Sequence, residues 1–274
     1  MPRAIWSGAI SFGLVSVPVK LYSAVSRQNV RFNQIDSKTN SRVKQQRVNI
    51  NGDVVPYDDI VKGYEVSKDN FIIVEPEELE NLSPKASRMI DISDFVKEEE
   101  IDPVFYDSAY YLVPDELARK SYTLLSRALA DSERVGIASF VMRSKQYLVA
   151  IRPVDNVLMM STMVYNDEVV PVEELPTLDE LEETEIVEAE LAMANQLIDS
   201  LTGSFDPQKY EDTYRQKVLA MLEAKAAGET TAVAAPAAEA DTAVVDLLAA
   251  LEASVEAAKR SRESESQASE VKSA

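Results

Sequence analysis

The sequence predicts a mostly β fold with appended helices, of the α+β class. Short β-rich runs dominate the 274-residue chain up to about residue 166. Turn residues such as Asn51-Gly52 separate these runs, as they do in barrels and sandwiches. Beyond residue 176 the apolar residues recur at helical spacing instead. We therefore expect a barrel or sandwich core followed by a helical segment.

The strands are predicted from alternating or continuous apolar runs. Val15, Val17, Val19 and Leu21 alternate with other residues, as in a strand with one buried face. A second alternating run surrounds Val43 and continues to residues 54 and 55. Further strands are expected at 71–74, 104–113, 135–142, 147–151 and 157–164.

One helix interrupts the strands near Asp115 and is expected to plug or cap the sheet. Its apolar residues are predicted to share one inward side, and they are Leu117, Leu124, Leu125, Ala128 and Leu129.

Two helices are predicted after residue 176. The first carries an apolar stripe and ends before Gly203; its stripe is Leu191, Ala194, Ile198 and Leu201. The second opens at Asp206-Pro207, a cap followed by proline, and ends before Gly228. The residues of this helix that are expected to face inward are Tyr210, Tyr214, Val218, Met221 and Leu222.

The composition after residue 225 predicts a linker, a short helix and a polar tail. Residues 226–240 are rich in alanine and contain glycine and proline, as linkers do. The expected segments are a core at 1–176, a helical arm at 177–225, the linker, an amphipathic helix at 241–260 and a disordered tail at 261–274.

The absence of cysteine and histidine excludes several classes of site. Disulfides, thiolate nucleophiles, Ser-His-Asp triads and zinc sites built from Cys or His all need these residues. No Gly-rich phosphate loop is present, so nucleotide binding of that kind is not expected. The acidic runs Glu98 to Glu100 and Glu173 to Glu190 are interpreted as solvated faces rather than metal ligands. We assign no catalytic residue, metal or cofactor.

Charge is distributed unevenly along this acidic chain, whose formal net charge is −19. Residues 1–60 hold eight Lys and Arg against four Asp and Glu. The sharpest excess lies at 27–47, where only Asp36 opposes Arg27, Arg31, Lys38, Arg42, Lys44 and Arg47. This basic stretch predicts either a directed anion-binding surface or a solvated edge hairpin whose cations prevent aggregation.

An apolar stripe recurs at helical spacing in the last predicted helix, and it consists of Val244, Leu247, Leu248, Leu251 and Val255. The linker isolates this helix from the core. The stripe therefore either docks on its own domain or folds on a partner protein or a second copy of the chain.

The N-terminal uncharged stretch from Ala4 to Val19 is too short and too polar to span a membrane. The chain is expected to be soluble and cytoplasmic, without a membrane partner.

Several motifs closely resemble bacterial Ku proteins, the DNA-end-binding factors of non-homologous end joining. They include the opening segment 3–23, the run Val55 to Glu65, Ile101-Asp102-Pro103, the run Arg134 to Ala138 and the run Tyr210 to Tyr214. The resemblance extends over residues 3–225, and residues 246–255 resemble the short C-terminal partner-binding segment of the family.

The resemblance implies a Ku-type β-barrel core with a strand-built bridge and a C-terminal helical arm. It implies a homodimeric ring that binds double-stranded DNA ends without sequence preference, close to the nucleoid. It also implies recruitment and stimulation of the multifunctional ATP-dependent DNA ligase of bacterial end joining. The basic stretch would line the ring in a strand-turn-strand arm. The alternative is an acidic protein-interaction scaffold without preference for DNA ends.

One departure from the family concerns the turn after Arg47. Many relatives carry a Cys-x-x-Cys-Gly turn there, whereas this chain has Asn49-Ile50-Asn51-Gly52. A metal or redox role for the turn is therefore not expected in this protein.

Overall fold

The computed structural model describes residues 3–82, 88–142, 145–176, 185–228, 249–257 and 260. Two compact units divide the chain, Met1–Pro171 and Val172–Ala274.

A closed barrel of seven strands is the centre of the first unit. The strands of this unit are β1 (Trp6–Phe12), β2 (Val15–Ser23), β3 (Lys62–Ser67), β4 (Asn70–Val74), β5 (Met89–Val96), β6 (Tyr106–Pro114), β7 (Val135–Met142), β8 (Lys145–Val154) and β9 (Val157–Met163). The barrel order is β1-β2-β6-β9-β8-β7-β5, and β3 pairs with β4 in a separate hairpin. Strands β1 and β5 close the barrel in parallel, with Ile10 opposite Ile90. The predicted mostly β class is confirmed.

Side-chain alternation explains how the strands close around one core. In β2, Val17, Val19 and Leu21 are fully buried while the residues between them are exposed. Their side chains join a cluster that every barrel strand supplies, with Phe140 of β7 as its largest member. The Trp6 ring packs edge-on against Phe140 with centroids 5.0 Å apart. The period of two in the sequence therefore predicts the inward face correctly.

The helix α2 (Arg119–Ser132) packs against this core through Tyr122, Leu125 and Leu129; the shorter α1 (Pro76–Leu82) follows the hairpin. The Tyr122 hydroxyl accepts a hydrogen bond from the Leu158 N–H at 2.6 Å and donates one to the Leu112 carbonyl. Leu112 and Leu158 are opposite residues in β6 and β9. Tyr122 therefore fastens the helix to two barrel strands, and burial raises the pKa of its hydroxyl.

The predicted inward side of α2 is wrong in part. Leu125 and Leu129 are buried, but Leu117, Leu124 and Ala128 are exposed. Successive helical residues lie about 100° apart, so a run of apolar residues allows two faces. The barrel selects the face that carries Tyr122, because that face places the hydroxyl between the two strands.

Alanine substitution of two adjacent leucines tests this orientation. Leu125→Ala should lower the free energy of unfolding by about 2–5 kcal/mol, because it opens a cavity in the core. Leu124→Ala should change it by less than about 0.5 kcal/mol, because Leu124 is 65% exposed. Chemical denaturation of both variants measures the difference, and equal losses would contradict the orientation of α2.

The hairpin of β3 and β4 exposes apolar side chains on both of its faces. Tyr64 and Ile72 are opposite each other on one face, and Gly63 is opposite Ile73 on the other. Tyr64, Phe71, Ile72 and Ile73 are each 55–69% exposed. A two-stranded hairpin is marginally stable alone, so this one gains from further cover.

The second unit contains α3 (Glu188–Leu201) and α4 (Thr213–Ala226). The first matches the predicted helix, and Leu191, Ile198 and Leu201 are exposed on it. The predicted start of the second is wrong: Asp206 caps only a 3₁₀ turn, Pro207–Lys209. The α-helix begins after Asp212, whose carboxylate accepts a hydrogen bond from the Arg215 N–H at 2.8 Å.

The predicted inward set of this second helix is also partly wrong. Tyr210 and Tyr214 are 69% and 77% exposed, whereas Val218, Met221 and Leu222 are half-buried. Tyr210 lies before the helix, where its ring stacks on Phe205 at 5.8 Å. Gly228 ends the segment with φ of +81°, a left-handed conformation that favours glycine.

Within the described ranges, no helix has both the length and the apolar composition needed to cross a bilayer. Three predicted segments lie wholly or partly outside the described residues. They are the linker from residue 229 onward, the first part of the terminal helix up to residue 248, and the tail 261–274.

Candidate nucleic-acid interface

The basic stretch lies in a long excursion, residues 24–61, that leaves the barrel after β2 and leads into the separate β3–β4 hairpin. Two isolated β-bridges and one short 3₁₀ turn are its only described regular features. All six predicted binding cations are exposed: Arg27, Arg31, Lys38, Arg42, Lys44 and Arg47. Their side chains are therefore accessible to a large anionic partner.

The first turn of the excursion presents Lys38 at its tip. The bridge between Ile35 and Arg42 closes the turn. Asp36 stabilises it, accepting hydrogen bonds from the Thr39 hydroxyl at 2.6 Å and from the Lys38 N–H at 3.0 Å. These bonds, led by that from Thr39, hold the pKa of Asp36 below its usual value. The one acid of the basic stretch thus stabilises a turn instead of pairing with a cation.

A second turn follows at Asn49 to Asp53, closed by the bridge between Val48 and Val54. The Asn49 side-chain oxygen accepts hydrogen bonds from the N–H groups of Asn51 and Asp53, both at 2.9 Å. Gly52 has φ of +88°, which glycine adopts without strain. This side-chain-to-backbone bonding is the ordinary chemistry of Asn in turns. The turn predicted at Asn51-Gly52 is present.

Arg47 is positioned by an aromatic ring. Its guanidinium carbon lies 5.2 Å from the centroid of the Tyr57 ring, within the range of a cation–π contact. The Arg47 carbonyl accepts a hydrogen bond from the Val55 N–H at 2.9 Å, which holds the two chain segments together. The sequence analysis missed Tyr57, because a contact across ten residues has no local periodic signal.

The prediction of a strand-turn-strand arm is wrong, because the excursion does not form regular strands. The excursion has two turns, and the segments beside them pair only through single bridges. Val43 N–H donates to the Gln34 carbonyl at 3.2 Å, but no continuous ladder follows. Exposed two-stranded ribbons lack the third strand or packed face that makes strands regular. The alternation around Val43 therefore does not correspond to a buried face, and Val43 is 52% exposed.

The electrostatics of the excursion favour an anionic partner. Across the described ranges, none of the six cations forms an ion pair with an Asp or Glu of the chain. Arg and Lys side chains without an acidic partner can neutralise the phosphates of a nucleic acid, which releases the counterions condensed on it. Such contacts position a protein on DNA but do not identify bases.

The acidic side chains show no comparable assembly. Within the described residues, no group of three or more acids is arranged to hold a metal ion. In the run Glu98 to Glu100, Glu98 pairs with Arg152 at 3.4 Å and Glu99 with Lys97 at 3.3 Å. The Asp115 carboxylate binds the Lys20 ammonium at 2.8 Å, which raises the pKa of Lys20. These acids are engaged in structural pairs.

Comparison with known proteins identifies the family. A family model described as the Ku70/Ku80 beta-barrel domain matches residues 11–193, which include the whole described barrel from β2 onward and the basic excursion. The chain belongs to the Ku family. The basic excursion lies within the matched range, between β2 and β3 and outside the seven barrel strands.

Relatives within the Ku family are similar over nearly the whole chain. A Koribacter versatilis protein named non-homologous end joining protein Ku is 42% identical over 94% of this chain and 88% of its own. Proteins of the same name from Anaeromyxobacter sp. (strain K) and Mycobacterium tuberculosis are 46% and 38% identical, over 95% and 93% of this chain and 87% and 95% of their own lengths.

The apolar stripe that was predicted to bind a partner is described only at its end. Residues 249–257 are helical, Leu251 is half-buried and Val255 is 3% exposed. Val244, Leu247 and Leu248 lie outside the described residues. The end of the stripe is thus covered by residues of the same chain.

Proposed function

We propose that this protein binds double-stranded DNA ends without sequence preference, as a homodimeric ring, in non-homologous end joining. The observation that carries the proposal is the basic excursion of a Ku-family chain, whose six cations are exposed and form no ion pair with an acid in the described part of the chain. The proposed contacts are those of Arg27, Arg31, Lys38, Arg42, Lys44 and Arg47 with phosphates. The role is binding, without catalysis or a cofactor.

The charge distribution supports a directed surface. A chain with a net charge of −19 is repelled by DNA at long range, so binding requires a local region of opposite sign. The basic excursion supplies this region, and phosphate contacts are independent of base sequence. A protein that holds any broken end needs this independence.

Exposed apolar surface supports a homodimer. The β3–β4 hairpin exposes Phe71 and Ile73 on one face and Tyr64 on the other. In the second unit, Ile198 and Leu201 are exposed on α3. Surfaces of this kind mark protein interfaces when they are contiguous, and a two-fold dimer buries the same patch from both copies.

A topology-controlled gel shift tests DNA-end binding. We expect retardation of a linear duplex and no retardation of the same sequence as a closed circle, because a ring can be entered only from an end. Equal binding of both forms would indicate a surface binder. Absence of binding to either would favour the acidic scaffold without preference for DNA ends. A divalent metal should produce no cleavage.

Assembly is tested separately by sedimentation. We expect twice the mass of the chain at micromolar concentration without DNA, because enclosing a duplex requires a large interface. A monomer that remains a monomer when linear duplex is added would contradict the ring.

Recruitment of the ATP-dependent end-joining ligase is the second part of the proposal, through the stripe of the terminal helix. This part rests on an apolar stripe at helical spacing that follows the predicted linker. The stripe consists of Val244, Leu247, Leu248, Leu251 and Val255. Action on chromosomal breaks implies a cytoplasmic location at the nucleoid.

A further inference from the structure

Two exposed leucines, one on α2 and one in the turn before it, take no part in the hydrophobic core. Leu117, in the turn that precedes the helix, is completely exposed, and Leu124 is 65% exposed. They are seven residues apart in the sequence, and the 3₁₀ turn that holds Leu117 leads directly into the helix. Tyr122 and Leu125, on a different side of the helix, already pack it against the barrel.

These leucines line a shallow cavity together with three cations. The cavity has a volume of roughly 740 Å³, and its charged lining residues are Arg119, Lys120 and Arg127. Single exposed leucines are ordinary on protein surfaces. Two leucines in one concavity, ringed by charges of one sign, are instead typical of a binding groove.

The three cations are free to meet an outside partner. In the part of the chain that the structure describes, Arg119, Lys120 and Arg127 form no ion pair with an acid. No acidic residue lines the cavity, although the chain as a whole has a net charge of −19. This local reversal of sign attracts an acidic ligand and repels a basic one.

We propose that this α2 groove binds an acidic amphipathic helix of a partner protein. Leucines at helical spacing in the partner pack on Leu117 and Leu124, and its Asp or Glu side chains pair with Arg119, Lys120 and Arg127. A helix fits because its leucine stripe can pack on the two leucines of this one cavity while acidic side chains beside the stripe reach the three cations.

Two other occupants fit this surface less well. DNA phosphates would use the cations but leave both leucines in water, where they gain nothing. A second copy docked through the same face on a two-fold axis would bring three cations against three cations. The proposal is independent of DNA-end binding, because it uses residues outside the basic excursion.

The test uses the full chain and a synthetic probe. The probe is a labelled peptide of about 18 residues, built from Leu, Ala and Glu, with leucines on one helical face and glutamates on the other. Fluorescence anisotropy should show micromolar binding that weakens with salt. Control peptides replace the leucines by serine or the glutamates by lysine, and both should fail to bind.

Variants of the groove locate the binding. Leu117→Ser with Leu124→Ser should weaken peptide binding by about a hundredfold, roughly tenfold for each leucine. Reversal of Arg119, Lys120 and Arg127 to Glu should abolish it. The leucine control is Leu219→Ser, at a half-exposed leucine of α4, and the charge-matched control reverses the exposed Lys209, Lys217 and Lys225 of the second unit to Glu. Both should bind the peptide as the wild type does.

The outcomes separate the possible occupants. Unaltered DNA-end binding and unaltered dimer mass in the leucine variant, with loss of peptide binding, support the proposal. Peptide binding that survives the leucine substitutions overturns it. Dissociation of the dimer by those substitutions would assign the groove to a second copy and would also overturn the proposal. A charge variant that loses DNA binding but keeps peptide binding would overturn it as well. Circular dichroism checks the fold, and Leu124→Ser alone provides a milder variant.

Discussion

Reversing Arg42, Lys44 and Arg47 to Glu should weaken binding to DNA ends by at least about a hundredfold. Each exposed cation that meets a phosphate contributes on the order of 1 kcal/mol, so loss of three contacts costs about 3 kcal/mol in each subunit that contacts the DNA. The slope of log affinity against log salt should become shallower by roughly 0.9 for each lost contact, and by twice that total in a dimer. Gel shifts with linear duplex at several salt concentrations measure both quantities.

A charge-matched control distinguishes this effect from general repulsion. Lys209, Lys217 and Lys225 are exposed in the second unit, and their reversal to Glu changes the net charge by the same amount. We expect this control to change the affinity by only a few-fold. An unchanged affinity and salt slope in the Arg42, Lys44 and Arg47 variant would remove the basic stretch from the DNA path. Its fold should be intact, since all three side chains are exposed.

The barrel strands could be predicted from the sequence because burial imposes a period of two. The run at 135–142 corresponds to β7 residue for residue, and β2 buries the predicted Val17, Val19 and Leu21. The face of α2 could not be predicted, because Leu124 and Leu125 are equally apolar. Only the position of the Tyr122 hydroxyl between β6 and β9 selects one of them.

The basic excursion was predictable in composition but not in shape. Charge alone identifies its cations, and Asn51-Gly52 identifies one of its turns. The turn around Asp36 depends on Thr39 and on the left-handed Asn40, which has φ of +52°. The contact of Arg47 with the Tyr57 ring requires the Val48–Val54 bridge to bring the two segments together. Such contacts arise from chain reversal, which local patterns do not encode.

The exposure of two tyrosines in the second unit also could not be predicted from local sequence patterns. Tyr210 and Tyr214 occur at helical spacing and were expected to face a core. In the structure, Tyr210 precedes α4 and Tyr214 is 77% exposed. Helical spacing predicts that two residues share a face, but it does not predict whether that face is covered within one chain.

Truncation after Gly228 should abolish stimulation of the end-joining ligase while leaving DNA-end binding unchanged. Each leucine of the stripe that packs on a partner contributes about 1.5–3 kcal/mol before the cost of ordering, so Leu247→Ala with Leu251→Ala should have nearly the same effect. Val255 is buried by its own chain, so capture by a ligase requires the end of the helix to undock. Ligation of linear DNA with and without each variant measures stimulation, alongside a gel shift.

The matched control lies on the same helix. Glu252→Ala with Ser254→Ala changes two exposed residues of the segment 249–257 and should retain full stimulation. If the truncated protein still stimulates ligation, recruitment uses the core, and the terminal helix is only a docked element. If truncation instead abolishes DNA binding, the segment supports the ring and not the partner. Loss of stimulation alone, reproduced by the two leucine substitutions and not by the control, assigns ligase recruitment to the stripe.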